Sequence, residues 1–245
     1  MTERVRFWLI TLAALSCVIL TLSLGRWQLS RAGQKEALQA AMQAQAKRQP
    51  VKNAELAGLD GAKPAQAGQY VHRPVRLIGT WVVGKTIFLD NRQMNAKPGF
   101  YVLTPLLIDG TRTAVLVQRG WVARNFVDRA SVPKLGAAAG LVEVEGRIAP
   151  APSKLYELGG PESGAIRQNL DLAQFRQESG LPLLPVSIQQ TGQNDEGLLR
   201  DWPVAAASAD KNYGYAFQWF GLSALIFFLY VWFQFAKRFI SPRRA

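Results

Sequence analysis

Apolar residues crowd the two ends of this chain and thin out between them. From Phe7 to Leu24, FWLITLAALSCVILTLSL runs for 18 residues without a charge, and from Tyr213 to Ala236, YGYAFQWFGLSALIFFLYVWFQFA runs for 24. As helices these measure about 27 Å and about 36 Å at roughly 1.5 Å per residue. Either crosses a hydrocarbon core of about 30 Å, the second with some tilt. Because a helix satisfies its own backbone hydrogen bonds, the pattern predicts two transmembrane α-helices, 7–24 and 213–236. The first run is longer than the roughly 7–15 residues of a cleaved signal's apolar core, so it reads as a retained span. Tyr213, Tyr215 and Trp219 near one end of the second run, and Trp232 near the other, sit where interfacial aromatics anchor.

Between the spans the period changes. Ser30 to Gln49 is rich in Ala, Gln and Lys, which predicts an exposed helix continuing the first span until Pro50 ends it. Asn53 to Gly68 carries Gly58, Gly61, Pro64 and Gly68 without apolar periodicity and reads as a linker. Strand signals follow at Val71–Trp81, where Pro74 marks an edge or bulge, and at Lys85–Asp90, Phe100–Ile108, Arg112–Val122, Leu141–Ile148 and Pro185–Gln190. Asp109-Gly110 between two of them predicts a hairpin, and Asp171 to Ser179 a short helix capped by Asp171. The fold class expected is therefore a membrane protein with two transmembrane α-helices flanking an α+β extracytoplasmic domain. That domain, 25–212, is expected to be an antiparallel, β-rich small barrel or sandwich.

Charge adds orientation. The 245 residues carry 29 Lys and Arg against 17 Asp and Glu, a net charge of +12. One of these positive charges resides in the N-terminal tail (Glu3, Arg4, Arg6) and four in the C-terminal tail (Lys237, Arg238, Arg243, Arg244), leaving +7 in between. Basic short tails place both termini in the cytoplasm and the central domain on the outer side, which in a diderm bacterium is the periplasm, with the protein expected in the cell inner membrane. Arg26, Arg31 and Lys35, just beyond the first span, soften that asymmetry without reversing it. The basic balance has three readings, a solvated surface, attraction to anionic headgroups of the lipid bilayer or an acidic partner, and because the basic residues are scattered rather than gathered in one stripe, nucleic acid is not expected.

Candidate chemistry is sparse. One Cys and one His cannot build an intrachain disulfide or a usual zinc site. His72 lies in a strand pattern, Cys17 lies inside the first span, and neither has a catalytic partner by spacing. No phosphate-binding glycine loop is present. The inventory nominates no catalytic residue and no resident metal, so no enzyme is expected, and the one enzymatic reading left open is a membrane-anchored Ser-Lys hydrolase. What stands out is polar and aromatic residues at the membrane boundaries. A helix places Trp27, Gln28 and Arg31 on one side, and Asn212, Tyr215, Ala216 and Trp219 on one face. Antiparallel pairing of the spans brings the two clusters together. Two readings stay open on composition alone: interfacial anchoring with snorkelling arginine, or a site for a flat hydrophobic ligand with acidic groups.

The segments LGRWQLSRAGQKEAL (25–38 with Leu24), VRLIGTW (75–81), LDNRQMNAKPGFYVLTPL (89–106), AVLVQRGWVARN (114–125), QNLD (168–171) and YGYAFQWFGLSALIFFLYVW (213–232) together resemble the surfeit-locus family of cytochrome c oxidase assembly factors. The resemblance spans nearly the whole chain. It implies two spans, a β-rich extramembrane domain, and a role in assembling a haem-copper oxidase by assisting haem A insertion into the catalytic subunit, without turnover. It implies transient haem A contact through Trp27, Gln28, Arg31, Asn212, Tyr215 and Trp219, and the oxidase catalytic subunit as partner. One departure is visible: many members carry histidine three residues before the Tyr-Ala of the last motif, where this chain has Asn212, and Asn is not a usual haem axial ligand. The alternative implied is an envelope scaffold that binds a membrane partner without haem. Arg119 and Trp121, around Gly120, form the most distinctive motif of the outer domain. Gly120 is expected to permit a bulge and Trp121 to fill the core, and the functional alternative gives Arg119 and Trp121 to partner docking.

Overall fold

The computed structural model describes residues 2–59, 64–125, 132, 140–156, 163–193, 196–202 and 209–236. The basic C-terminal tail used for orientation lies outside them. By its internal contacts the chain forms two units, 41–203 and a unit of 1–40 with 204–245.

In the second of these units both apolar runs are helical. Helix α1 spans Glu3–Ala46 without a break, so the Ala/Gln-rich stretch continues the first apolar run as its pattern predicts. The C-terminal run belongs to α5 (Asp210–Val231), followed by one π-helical turn at Trp232–Ala236. Only 6% and 11% of their most apolar 18-residue windows are buried among the described residues. Both are long and apolar enough to cross a membrane.

The other unit is built on seven strands: β1 (Pro74–Trp81), β2 (Ile87–Met94), β3 (Lys97–Ile108), β4 (Ala114–Ala123), β5 (Leu141–Ala149), β6 (Ile166–Arg167) and β7 (Leu183–Gln190). Their order is β1-β5-β7-β4-β3-β2-β6, and a further pairing of β1 with the end of β3 closes the first five into a ring. A five-stranded Greek-key barrel results, the architecture of OB-type domains, which settles barrel over sandwich. The all-antiparallel expectation is corrected in two places, since β4–β7 and β2–β6 are parallel. Side-chain alternation reports which residues share a face and carries no information on strand direction.

Closure places one apolar cluster inside the ring: Val75, Leu77, Leu106, Val115, Val117, Val144, Ile148, Val186 and Ile188, from all five ring strands. The segment expected to be a linker folds instead into two short helices, α2 (Asn53–Ala57) and α3 (Pro64–Gly68). Leu56, Leu59 and Ala67 bury themselves in that same cluster, which outweighs the breakers around them. Asn53 fixes α2 to β1 by accepting from the Ile78 N–H and donating to its carbonyl, both at 2.9 Å. The opposite face of β4 is also covered. Ala114 and Leu116 pack with Ile87, Leu89, Leu103 and with Phe175 of α4 (Leu172–Ser179), so eight successive residues of β4 are buried. Asp171 caps α4 by accepting from the N–H groups of Ala173 and Gln174 at 2.9 and 3.2 Å, as its sequence predicts. Gly180, at φ 69°, ends the helix in the left-handed conformation. The β3–β4 hairpin turns at Asp109-Gly110, also as expected, with Gly110 at φ 73°.

Candidate functional site

Helices α1 and α5 pair antiparallel through small residues. Thr21, Gly25 and Ala32 on α1 and Ala216 and Ser223 on α5 are the buried positions. A Cβ on Gly25 would stand 2.7 Å from the Phe220 ring, so any larger residue requires that ring to move. Two polar contacts frame the pair. Thr11 and Tyr230 share a hydrogen bond of 2.8 Å, and 17 residues further along α1 the chemistry concentrates around Asn212.

Asn212 is the hub. Its Nδ2 donates to Gln28 Oε1 at 2.7 Å, and its Oδ1 accepts from Lys35 Nζ at 2.7 Å. One residue on, the Tyr213 hydroxyl donates to Glu36 Oε1 at 2.9 Å. Of the residues expected at the boundary, the structure brings Gln28 and Asn212 into contact and leaves the rest around them. Trp27 and Tyr215 are about half exposed, Trp219 is partly buried, and Arg31 is exposed and donates to Gln34 at 3.3 Å on its own helix. Lys35 and Glu36 escaped the sequence reading. The available signal was Gln28, Ala32 and Lys35 at i, i+4, i+7, one helix face.

This geometry decides what the cluster can hold. The amides, ammonium and carboxylate that meet here are not usual axial ligands of haem iron, and both ends of the Asn212 amide are already engaged across the helices. Tyr213, whose phenol could in principle ligate, spends its proton on Glu36. The donor set at position 212 therefore does not fit axial ligation of haem. It fits a clamp between helices. Replacing Asn212 by Leu removes the shared partner of Gln28 and Lys35 and is expected to weaken the helix pair by about 1–2 kcal/mol. Thermal denaturation of the detergent-solubilised protein checks this, and an unchanged midpoint would remove the clamp.

Arg119 and Trp121 belong to the barrel unit and are both interior. Val102 pairs with Gly120 and Leu103 with Gln118, so Arg119 is the extra residue of a β-bulge, as the sequence suggests. Its guanidinium is 1% exposed, stacks 4.7 Å from the Trp81 ring centroid and pairs with Glu196. Trp121 is 3% exposed, donates from Nε1 to Arg92 O at 2.9 Å, and packs with Met94 and Trp202. Its backbone exchanges hydrogen bonds of 2.7 and 2.8 Å with Leu199. Gly120 is required by that approach: a Cβ there would lie 2.8 Å from Leu199 O and from the Leu198 Cβ. Gly99 likewise yields to the Trp121 ring, 2.5 Å from its would-be Cβ. The core reading of the motif is what the geometry displays, and neither side chain presents a surface for direct docking.

His72 sits in a turn at φ 74° rather than in a strand, and burial, with Arg147 nearby, lowers its pKa. Glu178 is held below the usual carboxylate range mainly by the Arg167 guanidinium that donates to both its oxygens at 2.8 and 2.5 Å. A polar hollow of about 290 Å³ beside Arg124 and Arg167 has its cations engaged, with Asp90 and Glu178 respectively. Among the described residues no group of three His, Cys, Asp or Glu side chains could hold a metal ion.

A model of the SURF1 family matches residues 15–224, through part of each apolar helix and the barrel. A SURF1-like protein of Monosiga brevicollis is 26% identical over 89% of this chain and 85% of its own. A SURF1-like protein of Rickettsia conorii is 26% identical over 86% of this chain and 85% of its own. The cytochrome oxidase assembly protein SHY1 of Saccharomyces cerevisiae is 28% identical over 44% of this chain and 27% of its own. With most of its length matched, this chain belongs to the SURF1 family.

Proposed function

We propose that this protein assists assembly of haem-copper cytochrome c oxidase, at the stage where haem A enters the catalytic subunit, and that it acts without turnover. The observation that carries the reading is the family match over 15–224, which takes in part of each apolar helix and the ring of strands. The assembly role named for the yeast relative supports it. Both helices span the inner membrane in this reading, with the termini cytoplasmic and the barrel domain periplasmic. The occupied amide of Asn212 favours a chaperone that binds the catalytic subunit and supplies no ligand to the iron. Trp27, Tyr215 and Arg31 are the exposed groups of the helix pair left to meet that subunit, and any contact with haem A through them is transient.

A strain lacking the protein is expected to lose the a-type absorbance of its membranes while b-type and c-type cytochromes remain. A normal oxidase spectrum in that strain would defeat the role. Protein purified from cells that make haem A is expected to carry no stoichiometric haem and to co-purify with the catalytic subunit. Stoichiometric haem with no subunit would reverse the order of these two contacts.

A further inference from the structure

A hollow in the helical unit lies at the end of the pair opposite the Asn212 clamp, and nothing in the assembly role uses it. It is a groove of about 590 Å³ between the start of α1 and the end of α5. That volume falls within the roughly 300–1,000 Å³ of small-molecule sites. Its walls are Phe7, Ile10, Ala14, Ile226, Leu229, Tyr230 and Phe233, apolar but for the phenol that Thr11 already engages. Three groups break the pattern. Glu3 and Arg6 line it one helical turn apart, and neither takes part in an ion pair among the described residues. Gln234, 8% exposed and set in the π-helical turn, lines it from α5 and makes no hydrogen bond among the described residues. Turns of the π-helical kind concentrate at functional positions.

We propose that this groove binds one ethanolamine phospholipid. The inference rests on the reading of both helices as membrane spans. Arg6 stands immediately before the uncharged run that starts at Phe7, and Gln234 two residues before the run's counterpart ends at Ala236, so the three polar groups stand at headgroup depth. One guanidinium and one carboxylate, one helical turn apart and without an ion pair among the described residues, are complementary to a headgroup with one phosphate and one primary ammonium. Arg6 donates to the phosphate, and Glu3 accepts from the ammonium. Gln234 donates its amide N–H to the glycerol ester carbonyl, and an acyl chain covers the apolar walls. A choline headgroup has no N–H to give Glu3, and a glycerol headgroup has no cation.

The test uses the full chain solubilised in mild detergent and exchanged against mixed lipids, with bound lipid counted by native mass spectrometry. Phosphatidylethanolamine is expected to be retained at one per chain and about tenfold over phosphatidylcholine or phosphatidylglycerol, an ordinary margin for one charge-assisted contact. Glu3→Gln should erase the preference for ethanolamine over choline, Arg6→Gln should reduce retention of all three lipids, and Arg4→Gln should change neither. Equal retention of the three lipids, a glycerol-lipid preference that ignores Glu3→Gln, or a second copy of the chain in place of lipid would each overturn the proposal. Alkaline carbonate extraction separates its failure from that of the membrane reading. Protein released to the supernatant defeats the spans themselves, whereas protein kept in the membrane without the lipid preference defeats the groove alone.

Discussion

Replacing Trp121 by alanine is expected to destabilise the barrel unit by about 3–5 kcal/mol, the range for emptying a buried tryptophan site. The indole touches Met94 and Trp202, and its Nε1–H satisfies the Arg92 carbonyl, so the change opens a cavity and strands an acceptor together. The site has little freedom to collapse, because Gly99 and Gly120 have already let the backbone approach as closely as it can. Set against a typical stability of about 5–15 kcal/mol, a loss of this size lowers the amount of folded protein severely. Urea denaturation in detergent reads it as a reduced midpoint at unchanged slope. In cells the oxidase spectrum should fall in proportion to the protein that remains. A variant as stable as the wild type that still loses oxidase would return Trp121 to partner docking.

The second large effect is expected at Glu196. Arg119 is among the largest fully buried side chains, and Glu196, whose side chain is 26% exposed, brings a carboxylate to it from 77 residues away. Glu196→Gln should cost about 2–4 kcal/mol, below the roughly 3–5 kcal/mol of breaking a fully buried pair, because water reaches the carboxylate. The Trp81 ring continues to face the cation and recovers part of the loss. The readout is the same urea midpoint, with Arg76→Gln as the contrast. Arg76 pairs with Glu143 and Glu145 across β1 and β5, but its side chain is 60% exposed, so its removal should cost less than about 1 kcal/mol. Equal effects at the two sites would show that burial of Arg119 carries no special electrostatic cost. Oxidase haem content measured per molecule of folded protein then distinguishes packing from docking. It stays constant if Arg119 acts only inside the barrel.

The division between what was legible and what was not follows the range of the interactions. The β3–β4 hairpin and the cap of α4 were readable because a turn dipeptide and an N-cap act within a few residues. The bulge at Arg119-Gly120 was readable for the same reason, and so was the uninterrupted α1, since good helix formers follow an apolar run. The two one-turn helices α2 and α3 were not, because Leu56 and Ala67 acquire their meaning only when the barrel offers them a place to be buried. Facial spacing on two separate helices already put Gln28 and Asn212 in range of each other. Lys35 was missed because a charge near a span reads as a boundary marker until a partner amide is seen beside it.

By itself the sequence determined the two apolar helices, the strand-rich middle, the polar and aromatic boundaries and the family, all of which rest on local periodicity and motif. Only the tertiary structure decided that the strands close into a ring with a parallel β4–β7 pair, that Arg119 meets Glu196, and that Asn212 is occupied on both sides. Those outcomes depend on which distant segments become neighbours. Alternation along a strand and spacing along a helix fix faces, but partners and directions are selected by the free energy of burying those faces together.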